Sequence, residues 1–409
     1  MKILVLNAGS SSQKSSLFEV SDLAAFDGSP LPLWEATVDW THHQGFAEIK
    51  VKTADAVLEE EIPTQSRPGI IAHTLSTLWQ GKTHVIEQPT AIDVVGHRVV
   101  HGGQQYRESV LITGEVREAI ANLSSLAPAH NPANLEGIKA VTQILGAEVP
   151  QVAVFDTAFH SHMPDAAAIY PVPYDWVQQG IRRYGFHGIS HQYCAQRAAK
   201  LLDRPLSDLR LVICHLGNGC SLSAIQNGHS IDTTMGFTPL DGLMMGSRSG
   251  SVDPGILIHL MRQQGYTADQ LDRALNQESG LKGISGVSAD LRQVMQAIDV
   301  GNPQAQLALE IYLHRLRSLI GSMLASLGGM DAIVFTAGVG ENSPIVRSRA
   351  CEAFGFLGLK LDEAKNQSRP VDQEIATVDS AVRVLVVHTQ EDWAIAQDCF
   401  RLASAKRHQ

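Results

Sequence analysis

Lys2-Ile-Leu-Val-Leu-Asn7, then Ala8-Gly-Ser-Ser-Ser12, then Gln13 through Val20 reads as an apolar strand, a small polar turn and a second strand. About half a chain later the plan returns as Leu211-Val-Ile-Cys-His215, Leu216-Gly-Asn-Gly219 and Cys220 through Ile225. Each first strand ends in a polar side chain. Each turn is small and polar, so its backbone N–H groups can face an anion. Two such hairpins fit a polyphosphate gripped from both sides of a cleft; taken alone, they fit two ordinary hairpins equally well.

Outward from the hairpins, further apolar runs predict buried strands at Val94–Val100, Val152–Phe155, Ala332–Phe335 and Val382–Val387. Apolar residues at helical spacing predict helices over Pro132–Leu145, His191–Leu202 and Gln304–Leu327. Strands alternating with helices give an α/β protein. At 409 residues the chain exceeds one ordinary core, and without a low-complexity linker its domains should join through packed structure.

Thirty-two basic against forty-two acidic residues leave a formal charge of −10 and no basic cluster, which excludes nucleic acid and anionic membranes as partners. An anionic ligand must then be held by a few placed Arg, Lys and backbone N–H groups. Cys194, Cys214, Cys220, Cys351 and Cys399 are odd in number and lack a CxxC pair, so buried thiols are expected rather than disulfides or zinc. The first apolar run stops at Asn7, far short of a secretory or membrane segment, and a cytoplasmic protein is expected.

Neither a GxxxxGK[ST] loop nor a GxGxxG after a strand occurs. Gly338-Val339-Gly340-Glu341-Asn342 follows the strand Ala332–Phe335 and reads as a glycine-rich turn that lets a nucleotide approach; Pro344 then opens a helix. Polar residues interrupt or end other apolar stretches: Arg98, Asp156, His187, Arg248 and Glu391. An arginine in a strand of valines is costly unless it meets a carboxylate or phosphate. Singly, each of these fits a buried ion pair or a satisfied core histidine. Together they form the set that phosphoryl transfer needs, where catalysis is mostly positioning and charge neutralisation.

At these residues the sequence resembles the acetate kinase family, within the acetate and sugar kinase, Hsp70 and actin superfamily. The resemblance runs through Asn7–Lys14, Gly96–Gly103, His130-Asn-Pro-Ala-Asn134, Phe155–His160, Arg183–Gly188, His215–Gly219, Met235–Leu240, Gly246–Gly250, Phe335–Asn342 and Gln390-Glu391, essentially the whole chain. It implies two RNase H-like domains with a cleft between them. The first would span 1–156, completed by 388–409; the second, 157–387, would bind nucleotide and mediate a homodimer.

The resemblance also implies roles. Asn7 and Glu391 match the magnesium positions, with Mn2+ as a substitute metal. Lys14 and His215, Leu216, Gly217, Asn218 and Gly219 match the phosphate-cradling hairpins. Gly338 through Asn342 and Asp290-Leu291-Arg292 match the ATP/ADP pocket, with Leu291 where the family usually has phenylalanine. Arg98 matches the arginine that receives the substrate carboxylate, and His187 and Arg248 the pair that stabilises the migrating phosphoryl group. Asp156 matches the family's catalytic acid. A carboxylate substrate is already ionised at neutral pH, so ordering magnesium or orienting a neighbour is the more economical task for Asp156. Val100, Ala129, His130, Phe186 and Pro239 match the acyl pocket, with Ala129 standing where leucine is usual.

The implied reaction is reversible in-line transfer of the ATP γ-phosphoryl group to acetate. A propionate or butyrate kinase is the rival within the family. An Hsp70- or actin-like ATPase is the rival of another class; it predicts an appendage for which this sequence leaves no residues.

Overall fold

The computed structural model describes residues 1–9, 12–23, 28–40, 45–64, 66–128 and 130–407. The chain divides into two compact units, 1–158 with 390–409, and 159–389.

Among the described residues the first unit is built on an eight-stranded sheet ordered β5-β4-β3-β2-β1-β6-β8-β7. Its strands are β1 (Lys2–Ala8), β2 (Ser12–Glu19), β3 (Trp34–Asp39), β4 (Phe46–Thr53), β5 (Val57–Pro63), β6 (Val94–Val99), β7 (Val110–Leu111) and β8 (Gln151–Phe155). β1 and β2 form the antiparallel hairpin expected, with Asn7 opposite Lys14. β6 and β8 continue the sheet in parallel with β1. Ile3 through Leu6 are buried, as strands covered on both faces require. The helices Asn131–Leu145 and Glu391–Arg407 both pack on β1 and β6. Gly96 makes the second contact possible, since a Cβ there would lie 2.5 Å from Ile395 Cγ2 and 2.6 Å from Cys399 Sγ. Real Cβ atoms do not approach that closely, so only glycine lets the C-terminal helix seat.

The second unit carries a six-stranded sheet ordered β11-β10-β9-β12-β14-β13 among the described residues. These are β9 (Arg210–Leu216), β10 (Cys220–Gln226), β11 (His229–Thr233), β12 (Ala332–Thr336), β13 (Gln373–Glu374) and β14 (Arg383–Val386). β9–β10–β11 is antiparallel and β9–β12–β14 parallel. The order β3-β2-β1-β6-β8 of the first unit is thus repeated as β11-β10-β9-β12-β14, and the two echoed hairpins open equivalent sheets. The helix Gly188–Leu201 packs on β9 and β12, and Pro303–Leu327 packs along β9, β10 and β11.

One expectation needs correction. Gly338–Asn342 is not an open turn: Ala337–Asn342 is a short helix, entered through Ala337 at a φ of 64°. All the cysteines are free and buried.

Candidate active site

In an open α/β sheet, chemistry collects at the carboxyl ends of parallel strands. In the first unit those ends carry Asn7 on β1, Arg98 on β6 and Asp156 just past β8. Arg98 Nε donates to both Asp156 carboxylate oxygens at 3.0 and 3.1 Å, and Nη2 donates to Oδ2 at 2.6 Å. Nη1 donates to Asn7 Oδ1 at 3.1 Å. These bonds use Nε and one hydrogen on each terminal nitrogen, so each terminal nitrogen keeps a second hydrogen for an anion. Burial opposes the guanidinium charge, but Asp156, Glu391 and Asp392 outweigh it and hold its pKa above the ordinary value.

Asn7 Nδ2 donates to Glu391 Oε2 at 3.2 Å and to Asp392 Oδ1 at 3.0 Å. Both acids sit in the first turn of the helix Glu391–Arg407, where a helix N-terminus favours negative charge. Asp392 was missed by sequence reasoning, although a second acid beside Glu391 was the available signal. Ser16 Oγ donates to it at 2.9 Å. Burial, reinforced by the Glu391 charge, nonetheless pushes its carboxyl pKa up.

The residues around Arg98 suit a magnesium ion. Asp156, Glu391 and Asp392 outnumber the one guanidinium among them, and carboxylate and amide oxygens are the hard donors that Mg2+ takes. Among the described residues no closed group of three or more His, Cys, Asp or Glu side chains is gathered as a metal cage. Magnesium needs none, since it keeps waters and borrows phosphate oxygens. Lys14 lies exposed on β2 opposite Asn7, and its charge reaches Asp392.

Asn131 and Asn134 explain the His130-Asn-Pro-Ala-Asn134 motif. Asn134 accepts from Val100 N and donates to Ala8 O, each at 3.2 Å, while Asn131 pairs with both backbone groups of His101 at 3.1 Å. Both side chains are buried and pin the ends of β1 and β6 to the helix Asn131–Leu145. Val100 is buried, and half-buried His130 precedes that helix. Ala129 lies outside the described residues, as do Ser10 and Ser11 of the first turn.

In the second unit His187 adopts a φ of 57° at the start of Gly188–Leu201. A left-handed non-glycine residue is costly and often marks a functional constraint. Its ring stacks on His215 with centroids 4.2 Å apart, and Nδ1 meets Ser221 Oγ at 2.9 Å. His215 Nδ1 meets Ser190 Oγ at 2.8 Å. Arg248 Nη1 donates to Pro239 O at 3.1 Å, which places Pro239 beside it, and burial lowers the Arg248 pKa. A Cβ built on Gly219 would lie 3.5 Å from Arg248 Nη1 and 3.5 Å from His187 Nε2. Both cationic or donor groups therefore face one spot beside the bare Gly219 backbone. Phe186 is buried next in chain, its carbonyl accepting from His160 Nε2 at 3.1 Å.

β9 and β12 are neighbours, with His215 in register with Thr336, so the Leu216-Gly217-Asn218 turn and the helix Ala337–Asn342 share one strand end. Gly217 lies against Ala337, whose Cβ would be 3.8 Å from a Cβ placed on Gly217. Gly338 and Val339 stand in the helix's first turn, and Asn342 Nδ2 donates back to Gly338 O at 2.9 Å. The Glu341 carboxylate is used within the chain: Oε1 accepts from Ala337 N at 2.8 Å and Thr389 N at 3.2 Å, and Oε2 meets His388 Nδ1 at 2.5 Å. Arg347, missed by sequence reasoning, is 1% exposed and donates to Gly340 O at 2.9 Å and Glu341 O at 2.7 Å. Asp290 caps Leu291–Asp299 and pairs with exposed Arg292 at 2.6 Å, while Leu291 turns inward at 6% exposure.

The acetokinase family model matches residues 2–397. An acetate kinase of a Cyanothece species is 67% identical over 403 residues, covering 98% of each chain. The acetate kinase of Porphyromonas gingivalis superposes with a TM-score of 0.89 at 40% identity, covering 98% of this chain and 99% of that one. A propionate kinase of Francisella tularensis also superposes at 0.89, with 37% identity and the same coverage. With its family model spanning nearly every residue and relatives this similar along their whole length, the chain belongs to the acetokinase family.

Proposed function

We propose that this protein is an ATP:acetate phosphotransferase that reversibly makes acetyl phosphate and ADP. The observation that carries the reading is Arg98. Its guanidinium is fixed by Asp156 and Asn7 with terminal N–H groups to spare, in a chain whose relatives are named acetate kinases. A fixed, hydrogen-bonding cation is what a small carboxylate needs to bind in one orientation.

The acid binds as its anion, so no base is required. An acid oxygen forms a bond to the γ-phosphorus as the bond to the ADP oxygen breaks, and no proton changes hands. Asp156 acts by holding Arg98. His187 and Arg248 neutralise charge on the phosphoryl group, and the Gly217–Gly219 turn and Ala337–Asn342 serve the nucleotide. Asn7 and Glu391, with Asp392, would hold the Mg2+ that screens the phosphate charges when bound. The domain limits 1–156 with 388–409, and 157–387, belong to the same reading.

We also place the protein in the cytosol as a homodimer. No helix among the described residues is long and apolar enough to cross a membrane. The helix Pro254–Gln264 has no buried residue, and Ile256, Ile258 and Met261 are each about half exposed, at 49%, 50% and 48%. An apolar face of this kind is what a second copy would cover.

A second reading, a propionate kinase, draws on the equal TM-score of the Francisella propionate kinase and on Ala129. One assay tests both. Acetate, propionate and butyrate are each supplied with ATP and magnesium, and the acyl phosphate is trapped with hydroxylamine. Acyl hydroxamate from acetate at the highest kcat/KM supports the first reading; propionate ahead of acetate supports the second. ATP hydrolysis without hydroxamate rejects both.

A further inference from the structure

Ser221 stands on β10 between two imidazoles. Its Oγ is 2.9 Å from His187 Nδ1 and 2.7 Å from His191 Nε2. A hydroxyl has one proton and two lone pairs, and Ser221 is fully buried with these two rings as the only hydrogen-bond partners of its Oγ among the described residues, so its proton is satisfied only by donating to one ring while it accepts from the other. Which way it points is decided at the far side of His191. That ring is fully buried, and its Nδ1 has no hydrogen-bond partner among the described residues. Burial, with the neighbouring His160 and His215, drives the His191 pKa well down, so the ring carries a single proton.

On Nδ1 that proton would be an orphaned buried donor, a rarer and costlier defect than an unfilled acceptor lone pair. The proton therefore sits on Nε2 and is donated to Ser221 Oγ. Ser221 must then turn its own proton toward His187 Nδ1, which has to be a bare acceptor. The remaining His187 proton is left on Nε2, the nitrogen that faces the spot beside Gly219 shared with Arg248.

We infer that Ser221 and His191 are positioning residues that set the tautomer of His187, so that His187 is a neutral ring presenting an N–H at Nε2 to the migrating phosphoryl group. The last clause rests on the phosphotransfer reading; the tautomer does not. The 4.2 Å stacking of His187 on His215 agrees, because two imidazolium rings at that distance would repel. In the opposite proton order Nε2 would offer a lone pair to a phosphate oxygen, which repels it.

The test is the full-length protein labelled with 15N-histidine at neutral pH, with His187 assigned by its loss in His187→Gln. Long-range proton–nitrogen correlation should show His187 Nδ1 unprotonated and Nε2 protonated. Ser221→Ala and His191→Phe should each shift the two nitrogens toward a mixture of tautomers. His191→Gln, which retains a side-chain N–H, should restore the wild-type pattern. In turnover, Ser221→Ala should lower kcat about tenfold, the scale of one hydrogen bond, with the KM values for ATP and acid unchanged. A wild-type His187 protonated on Nδ1, or on both nitrogens, overturns the inference, as does an unchanged tautomer in Ser221→Ala. The spectra need no turnover, so this inference and the phosphotransfer reading fail independently.

Discussion

Asp156 grips Arg98 along its Nε–Nη2 edge, with the shortest contact at 2.6 Å, and does so from a position 1% exposed to solvent. A carboxylate so placed is spent on orienting the guanidinium. Arg98→Ala should therefore raise the acetate KM and leave the ATP KM nearly untouched, and Asp156→Asn should reproduce that pattern in weaker form. Arg248→Ala should instead lower kcat and kcat/KM together if, as proposed, Arg248 acts on the transition state. Loss of either arginine should cost about 3–5 kcal/mol where its partner anion is desolvated. Identical kinetic signatures for Arg98→Ala and Arg248→Ala would reject the division of roles.

Glu391 begins a helix and meets Asn7 at 3.2 Å, at the carboxyl end of the central strand β1. Glu391→Ala should lose most of its turnover while its unfolding midpoint stays near wild type, and excess magnesium should recover only part of the rate, because Asp392 remains. Titrating magnesium in a steady-state assay reads both effects. Wild-type turnover at limiting magnesium would remove Glu391 from the metal site.

Under the proposed function, Ala129 bears on which acid is used. A leucine there would add three heavy atoms, and each methylene properly buried is worth about 0.8 kcal/mol. Ala129→Leu should lower kcat/KM for propionate and butyrate relative to acetate, by about 10- to 200-fold per methylene at most. Unchanged ratios would make Ala129 a packing variant.

The central strands were legible because strands covered on both faces read as unbroken apolar runs, as at Ile3–Leu6 and Leu211–His215. β3 to β5 were missed for the complementary reason. Trp34–Asp39 and Phe46–Thr53 alternate buried and exposed residues along most of their length, so no apolar run announces them. The repeat of the hairpins was readable, since it lies in local sequence. The helix at Ala337–Asn342 was not. Its glycines favour a turn, and what holds it as a helix is side-chain bonding that no periodicity shows: its own Glu341 accepting at its start and Arg347, from the next helix, donating at its end. Likewise Arg98 was recognisable as an anion-seeking residue, whereas its bond to Asp156, 58 residues away, depends on strand order.

Acid should destabilise the fold above the usual carboxylate range. Burial draws His97, His101 and His160 each down to about 4, against 6.5 for a free imidazole. Between pH 6.5 and 4 the unfolded chain therefore binds more protons than the folded one, so stability is full above 6.5 and falls as the pH drops. Each histidine contributes at most about 1.4 kcal/mol per pH unit across that window. Urea unfolding at pH 7, 6 and 5 should show a steepening loss, and a flat profile would mean that these rings protonate without unfolding.

Arg347 offers the most direct test of how the short helix Ala337–Asn342 is held. Its guanidinium is buried among neutral oxygens: Gly340 O, Glu341 O, and both the backbone and side-chain oxygens of Asn366, at 2.7 to 2.9 Å. Burial lowers its pKa to about 10, still high enough to keep the charge at neutral pH. Arg347→Met preserves much of the volume but leaves those acceptors without a donor, at about 1–3 kcal/mol for an unsatisfied group. Arg347→Lys keeps the charge and loses the planar fork, so it should rescue only part of the loss. Two outcomes separate packing from positioning. If Arg347 holds the helix for the nucleotide, Arg347→Met should raise the ATP KM at temperatures where the protein remains folded, with the acid KM unchanged. A lowered unfolding midpoint with wild-type ATP KM would confine Arg347 to the core.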